Sequence, residues 1–299
     1  MSRLFRNAAA WTALAVLLFA NPAWAKRKRP AAATPSPDDT EYSDAAAAAM
    51  PVVSISSGVP TVHAQAVMVI DAWTGRVLFE KNADEHRPPA STQKLLTSLI
   101  VSEAGNLDRE VTVQPSDTWA EPTKLNFQPG ERYERFQLLQ VLLVHSMNDV
   151  ARCLARDNAG SIEAFADKMN EKAAELGMAN SHFVNPNGLP APGQYSCARD
   201  MARVAQAAYA NRVLRSIVCL KSIAFRYADG RVREFKNTNK VLRGFALCNG
   251  MKTGYTEAAG HCLIASGTNG GRDVIVVVLG DNNQVWRDAY LLLSWGLSA

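Results

Sequence analysis

The chain has 299 residues, of which 32 are Lys or Arg and 28 are Asp or Glu, for a formal net charge of +4, and 47% are hydrophobic. So even a charge balance argues against a nucleic-acid partner. Five cysteines, Cys153, Cys197, Cys219, Cys248 and Cys262, stand without C-x-x-C spacing, which argues against a metal cluster.

Residues 1–25 read as a cleaved export signal: Arg3 and Arg6 precede an apolar run over residues 8–20, and small residues stand at Ala23 and Ala25. That run is shorter than the roughly 20 residues a permanent membrane helix needs. Losing the leader lowers the net charge from +4 to +2, and no later segment is long and apolar enough to span a bilayer. The mature chain is therefore expected to be exported, soluble and periplasmic or otherwise extracytoplasmic, with no transmembrane span. Export permits disulfides, and an odd cysteine count leaves at least one thiol unpaired. Residues 26–62, rich in Ala, Pro and charge, are expected to form a flexible tether. Residues 63–299 have the length of one large domain or two joined subdomains.

The domain should open with a hairpin, A-Q-A-V-M-V-I-D and V-L-F-E-K-N flanking a turn at Gly75. From Ser91 a helix is predicted, because Leu95, Leu96, Leu99 and Ile100 recur at helical spacing after Pro88 and Pro89. Four further helical patterns follow, over residues 135–145, 149–156, 162–176 and 198–209, broken at S-M-N, at N-A-G-S and across V-N-P-N-G-L-P-A-P-G-Q-Y-S. After Cys219 the pattern turns to strands, at S-I-A-F-R-Y, R-V-R-E-F, G-M-K-T-G-Y-T, H-C-L-I-A-S-G and D-V-I-V-V-V-L-G, and an amphipathic stretch from Val285 to Trp295 closes the chain. Strands at both ends with helices between them predict an α+β fold: an antiparallel sheet in which the first hairpin and the last strands are neighbours, beside a mostly helical insertion.

Chemistry gathers in three short motifs. Ser91 and Lys94, at i and i+3, share one face of a helix. A serine needs a base within hydrogen-bond reach to act as a nucleophile, and a lysine becomes one when burial or a second cation favours its neutral form. Backbone N–H groups at the helix start could stabilise an oxyanion. Read alone, Ser91 is a helix cap and Lys94 a surface residue. The second motif is Ser146-Met147-Asn148, between two helices, and the third is Lys252-Thr253-Gly254, on a strand. Capping explains each singly, but not the three in this order and on these elements.

The ordered set S-x-x-K, S-x-N, K-T-G resembles that of penicillin-binding proteins and serine β-lactamases. Together with V-I-D-A-W-T-G-R-V-L-F-E-K-N, P-G-E-R-Y, N-S-H-F-V-N-P-N-G-L-P, N-T-N and M-K-T-G-Y-T-E-A-A-G-H-C-L-I-A-S, it resembles the low-molecular-mass D-alanyl-D-alanine carboxypeptidase family of serine peptidases over about residues 64–298. The resemblance implies a five-stranded antiparallel sheet flanked by helices. It implies a D,D-carboxypeptidase acting on peptidoglycan stem peptides ending in D-Ala-D-Ala, acylated by β-lactams and using no cofactor or metal. Ser91 would be the nucleophile, Lys94 its base and Ser146 a proton relay to the leaving amine. Asn148 would hold the substrate amide and Lys94, Lys252 would add positive potential, and Thr253 would bind the substrate carboxylate. Gly254 lies in the same strand motif, and the N–H groups of Ser91 and Tyr255 would form the oxyanion hole.

Two positions depart from the family pattern: Met147 is bulky where Gly is frequent, so it could narrow the cleft or alter that loop, and Thr238 replaces an arginine that assists carboxylate binding in some members. The alternatives are a D,D-endopeptidase acting on cross-links, since A-A-G-H-C-L at 258–263 resembles that branch, a serine β-lactamase, and an idle wall-binding protein. Against the lactamase, the loop from Val184 to Ser196 carries no Asp or Glu. His261 reads as a packed or surface histidine, Cys153 as core, and Asp200 as a cap or ion-pair partner.

Overall fold

A computed structural model describes residues 58–298. The expected signal, and all of the expected tether before residue 58, lie outside the described residues. Residues 58–62 form no regular element, and Val62 packs partly against the core.

Among the described residues nine strands and eight helices follow in the order β1 (Ala66–Asp71), β2 (Val77–Lys81), α1 (Lys94–Glu103), β3 (Glu110–Thr112), β4 (Arg132–Glu134), α2 (Arg135–His145), α3 (Asn148–Ala159), α4 (Ile162–Glu175), α5 (Ala198–Ala210), α6 (Arg212–Val218), β5 (Ser222–Arg226), β6 (Val232–Lys236), α7 (Lys240–Gly244), β7 (Cys248–Thr256), β8 (Gly260–Asn269), β9 (Arg272–Asp281) and α8 (Val285–Ser298). Five strands form one antiparallel sheet in the order β2-β1-β9-β8-β7, so the opening hairpin does pair with the last strands. The fold is α+β, as the sequence predicted.

The continuous apolar runs of β1 and β9 follow from burial on both faces. Successive side chains point to opposite sides of a sheet. Met68, Ile70, Ile264, Ile275 and Val277 enter the larger core with the helical insertion. Val67, Val69, Leu263, Val276 and Val278 enter a second core. Helix α8 closes that second core with Val285, Ala289, Leu292, Leu293 and Leu297, at the three-to-four spacing of one helical face. Helix α2 is apolar almost all round and runs through the middle of the insertion.

The structure adds elements that the sequence pattern did not reveal. Helices α6 and α7 are seven and five residues long, and β3 and β4 pair over three residues each. The five cysteines are all free thiols, four of them buried, Cys153 in the core. No helix among the described residues is long and apolar enough to cross a membrane.

Candidate active site

The S-x-x-K motif departs from a simple helix start. Residues Ala90–Gln93 form a 3-10 turn, and α1 begins only at Lys94. A 3-10 helix has three residues per turn, so side chains at i and i+3 lie directly above one another. This brings Lys94 Nζ to 2.6 Å from Ser91 Oγ. Ala90, just before Ser91, holds a left-handed φ of 48°.

Lys94 is fully buried, and its ammonium position is fixed by two further acceptors, Asn148 Oδ1 at 2.7 Å and the Asn187 carbonyl at 2.7 Å. As a free amine, Lys94 can donate to those two oxygens and leave its lone pair for the Ser91 proton. Asn148 is held in turn: its Nδ2 donates to the Pro122 carbonyl at 2.7 Å and its backbone N–H to Thr123 at 2.8 Å. The first bond settles which end of the amide faces the lysine. Loop 123–126 is tied down by Asp149, whose carboxylate accepts from the Leu125 and Asn126 N–H groups at 3.0 Å each. Burial pushes the Asp149 carboxyl up against the lowering effect of those bonds.

The loop after α4 is clamped by the same turn of chain. Gln93 Nε2 donates to Asn185 O at 2.5 Å, and Thr97 Oγ1 donates to Pro186 O at 2.7 Å. Asn187 as a partner of Lys94 was not foreseen, since it acts through its backbone carbonyl and leaves no residue signature.

Strand β7, at the edge of the sheet, also reaches Ser91. A Cβ on Gly254 would stand 2.7 Å from the Ser91 nitrogen, so the strand crosses directly against the Ser91 backbone. Lys252 is buried and donates to the Thr253 carbonyl at 2.9 Å. Thr253 Oγ1 lies 2.6 Å from Thr238 Oγ1, so the Thr238 hydroxyl shares a hydrogen bond with the third motif.

Ser146 ends α2 in a left-handed conformation, φ 69°, and lines the same groove as Ser91, Asn148, Thr238 and Tyr255. The groove encloses about 1080 Å³. Met147 does not narrow it: the side chain is buried in the larger core, which corrects the expectation for that residue. His261 lines the groove and packs on Tyr255 with ring centroids 4.6 Å apart. Asp200 is both anchor and ion-pair partner, accepting from Asn180 N and Ser181 Oγ and pairing with Arg203 at 3.2 Å. Among the described residues, no group of three His, Cys, Asp or Glu is placed to hold a metal ion.

Ser91, Ser146 and Asn148 thus line one groove together with Tyr255, Lys94 bonds to Ser91 and Asn148 behind it, and the strand of the third motif crosses against Ser91 at Gly254, whereas Lys252 bonds to its own neighbour Thr253 and is not among the lining residues. The family model described as D-alanyl-D-alanine carboxypeptidase matches residues 53–283. The chain belongs to that family. It is 34% identical over 260 residues to the D-alanyl-D-alanine carboxypeptidase DacA of Escherichia coli, covering 80% of this chain and 62% of DacA. The chain therefore spans somewhat under two thirds of the length of that relative. A D-alanyl-D-alanine carboxypeptidase structure from Mycobacterium tuberculosis superposes with a TM-score of 0.78 at 32% identity, covering 82% of this chain and 95% of that one. A Streptomyces DD-transpeptidase gives a TM-score of 0.77 at 29% identity, covering 81% and 100%.

Proposed function

We propose that this carboxypeptidase-family chain is itself a serine D,D-carboxypeptidase that trims peptidoglycan stem peptides ending in D-Ala-D-Ala, with a role in cell-wall remodelling. The contact that carries the reading is the 2.6 Å approach of Lys94 Nζ to Ser91 Oγ, with two oxygens holding the amine in place. Ser91 attacks the carbonyl between the two D-alanines as Lys94 takes its proton, and the tetrahedral oxyanion is met by the N–H groups of Ser91 and Tyr255. The C–N bond then breaks, Ser146 delivers a proton to the leaving amine, and water hydrolyses the ester. Asn148 holds the substrate amide and the lysine. Lys252 supplies positive potential, Thr253 with its neighbour Thr238 binds the terminal carboxylate, and Gly254 lets the strand approach. A positioned proton carrier contributes about 10²- to 10⁴-fold and an oxyanion donor about 10²- to 10³-fold.

β-Lactams present a reactive amide carbonyl and a carboxylate in similar relation, and are proposed to acylate Ser91. The loop facing Ser91 and Lys94 offers the Asn187 carbonyl and no carboxylate, which favours a long-lived acyl-enzyme over a β-lactamase. The same reading places the domain, residues 63–299, outside the cytoplasm after cleavage of residues 1–25, with residues 26–62 as its tether. Mass spectrometry after incubation with penicillin tests it. The expected result is one stable adduct on Ser91, absent in Ser91→Ala and in Lys94→Ala. An adduct that survives Ser91→Ala, or rapid turnover of nitrocefin, would overturn it.

A further inference from the structure

Away from the groove, one aromatic cluster takes no part in the chemistry above. Trp73, in the turn between β1 and β2, is 52% exposed. A single exposed apolar residue needs no explanation, but this one is anchored at each polar atom. Its backbone N–H donates to Asp71 Oδ1 at 3.1 Å, its carbonyl accepts from Gln206 Nε2 at 3.2 Å, and its indole N–H donates to Asp273 Oδ2 at 2.5 Å. Asp273 accepts in turn from Thr268 Oγ1, which accepts from Asn249 Nδ2 on β7. The Tyr209 ring meets the indole edge-on at 5.5 Å. The ring is therefore oriented before any ligand arrives, which lowers the ordering cost of binding. Arg215, on α6, lies over both rings, with Cζ 5.3 Å from the indole centroid and 5.5 Å from the Tyr209 centroid. Among the described residues its guanidinium has no carboxylate partner and no hydrogen bond to the protein, so its donors are left to water. Asn249 and Gly254 are five residues apart on β7, about 17 Å at the rise of a strand. None of Trp73, Tyr209 and Arg215 lines the groove.

We propose that Trp73 and Arg215 form a platform for the glycan strand of the wall polymer, the chain of N-acetylated amino sugars that bears the stem peptides. The choice of polymer rests on the peptidase reading above. A pyranose ring has a face of C–H bonds, which lies on the exposed indole. Its hydroxyl and acetamido oxygens accept from a planar guanidinium that two rings already hold in orientation. The charges at the platform point to a neutral ligand: Arg215 and Arg76 stand against Asp71 and Asp273, which leaves no net positive charge to draw an acidic peptide or a polyanion. With a sugar seated some 17 Å from the point where β7 crosses Ser91, a neighbouring stem peptide on the same strand is kept within reach of the groove.

The full chain is titrated calorimetrically with a neutral tetramer of β-1,4-linked N-acetylglucosamine, and compared with Ser91→Ala, Trp73→Ala and Arg215→Ala. Penicillin acylation and release of D-alanine from a soluble pentapeptide report folding and the nucleophile in the last two. The expected result is saturable binding to the parent and to Ser91→Ala alike, with Kd raised about tenfold or more in Trp73→Ala and in Arg215→Ala. Both of these variants should acylate and trim the pentapeptide at the parent's rates, yet release less D-alanine than the parent from insoluble peptidoglycan. Binding of the tetramer should hold from about 0.1 M to about 1 M salt, because no net charge takes part. A folded parent that does not bind the tetramer, or variants that bind it as the parent does, would overturn the platform, as would binding that fades with salt, which would make the occupant an anion. A parent that binds the tetramer but is not acylated at Ser91 would leave the sugar platform standing and remove the peptidase reading.

Discussion

Replacing Gly254 with alanine tests how the strand and the nucleophile are held together. The added methyl would lie 2.7 Å from Ser91 N, 3.0 Å from Ala90 Cβ and 3.0 Å from Thr92 N. Carbon contacts are comfortable from about 3.5 Å, so β7 and the 3-10 turn must part by about 0.5–1 Å. None of the three atoms can swing aside, since two are backbone nitrogens and the third is a methyl on a backbone with φ 48°. A shift of about 1 Å between reacting groups costs on the order of 10²-fold, and the gap opens between the strand and Ser91 N, one of the two proposed oxyanion donors. The second-order rate of Ser91 acylation by penicillin should therefore fall about 100-fold. Overpacking of this kind costs about 1–3 kcal/mol, and each kcal/mol lowers Tm by about 2–4 °C in a chain of this size, so the variant should remain folded at room temperature. Stopped-flow acylation with a fluorescent penicillin gives the rate, and calorimetry gives Tm. A folded Gly254→Ala protein that acylates within about threefold of the parent would refute the close crossing.

Asn148→Asp replaces the group that donates to the Pro122 carbonyl with an oxygen facing an oxygen at 2.7 Å. Release of D-alanine from a pentapeptide should fall about 10²-fold, and unchanged turnover would reject the clamp on Lys94. At the far end of β9, Asp281 is buried and has Asp288 beside it, and these two influences push its carboxyl up to about 6. The native state then binds this proton more tightly than the unfolded chain, whose carboxylates titrate near pH 4. Its stabilising contribution is full below about pH 4 and is lost as pH rises through about 6, a change on the order of 1–3 kcal/mol. In Asp281→Asn, denaturant titrations from pH 4 to pH 7 should lose that slope, and a slope equal to the parent's would assign it to other groups.

How legible the molecule was depends on which atoms do the work. Side-chain chemistry left a signature, so Ser91, Lys94, Ser146, Asn148 and the strand from Lys252 to Tyr255 could be picked out, and the structure gathers them round one groove. The sheet was also readable, because β1 and β9 are long apolar runs paired next to each other. Backbone partners leave no such mark: the Asn187 and Pro122 carbonyls could be any residue's. The apolar spacing after Ser91 fits α and 3-10 geometry alike over a single turn, so the turn type at the nucleophile was out of reach. Helices α6 and α7 are too short for a period to register. Of the two effects expected of Met147, a narrowed cleft is absent because its motif lies at the groove while its own side chain turns into the core.

The chain departs from comfortable backbone where the motifs sit, with positive φ at Ala90, beside the nucleophile, and at Ser146. Such conformations cost on the order of 1–3 kcal/mol each and persist only where the surroundings enforce them. At Ala90 the enforcement is visible: two glycines pack closely against the Ala90–Ser91 peptide. Gly254 presses on Ser91 N, and a Cβ on Gly188 would stand 2.1 Å from Ala90 O and 2.9 Å from Ser91 N. The two clamps should not fail alike. Gly188 itself has φ +84°, so an alanine there meets both a forbidden approach to a backbone oxygen and a left-handed conformation it resists. Relief requires moving the loop that supplies the Asn187 carbonyl to Lys94. Gly188→Ala should therefore lower Tm by several degrees more than Gly254→Ala and remove acylation with it, whereas Gly254→Ala lowers the rate in a protein that still folds. Equal Tm values for the two variants would mean that the loop yields as easily as the strand, and that the nucleophile is not held between them.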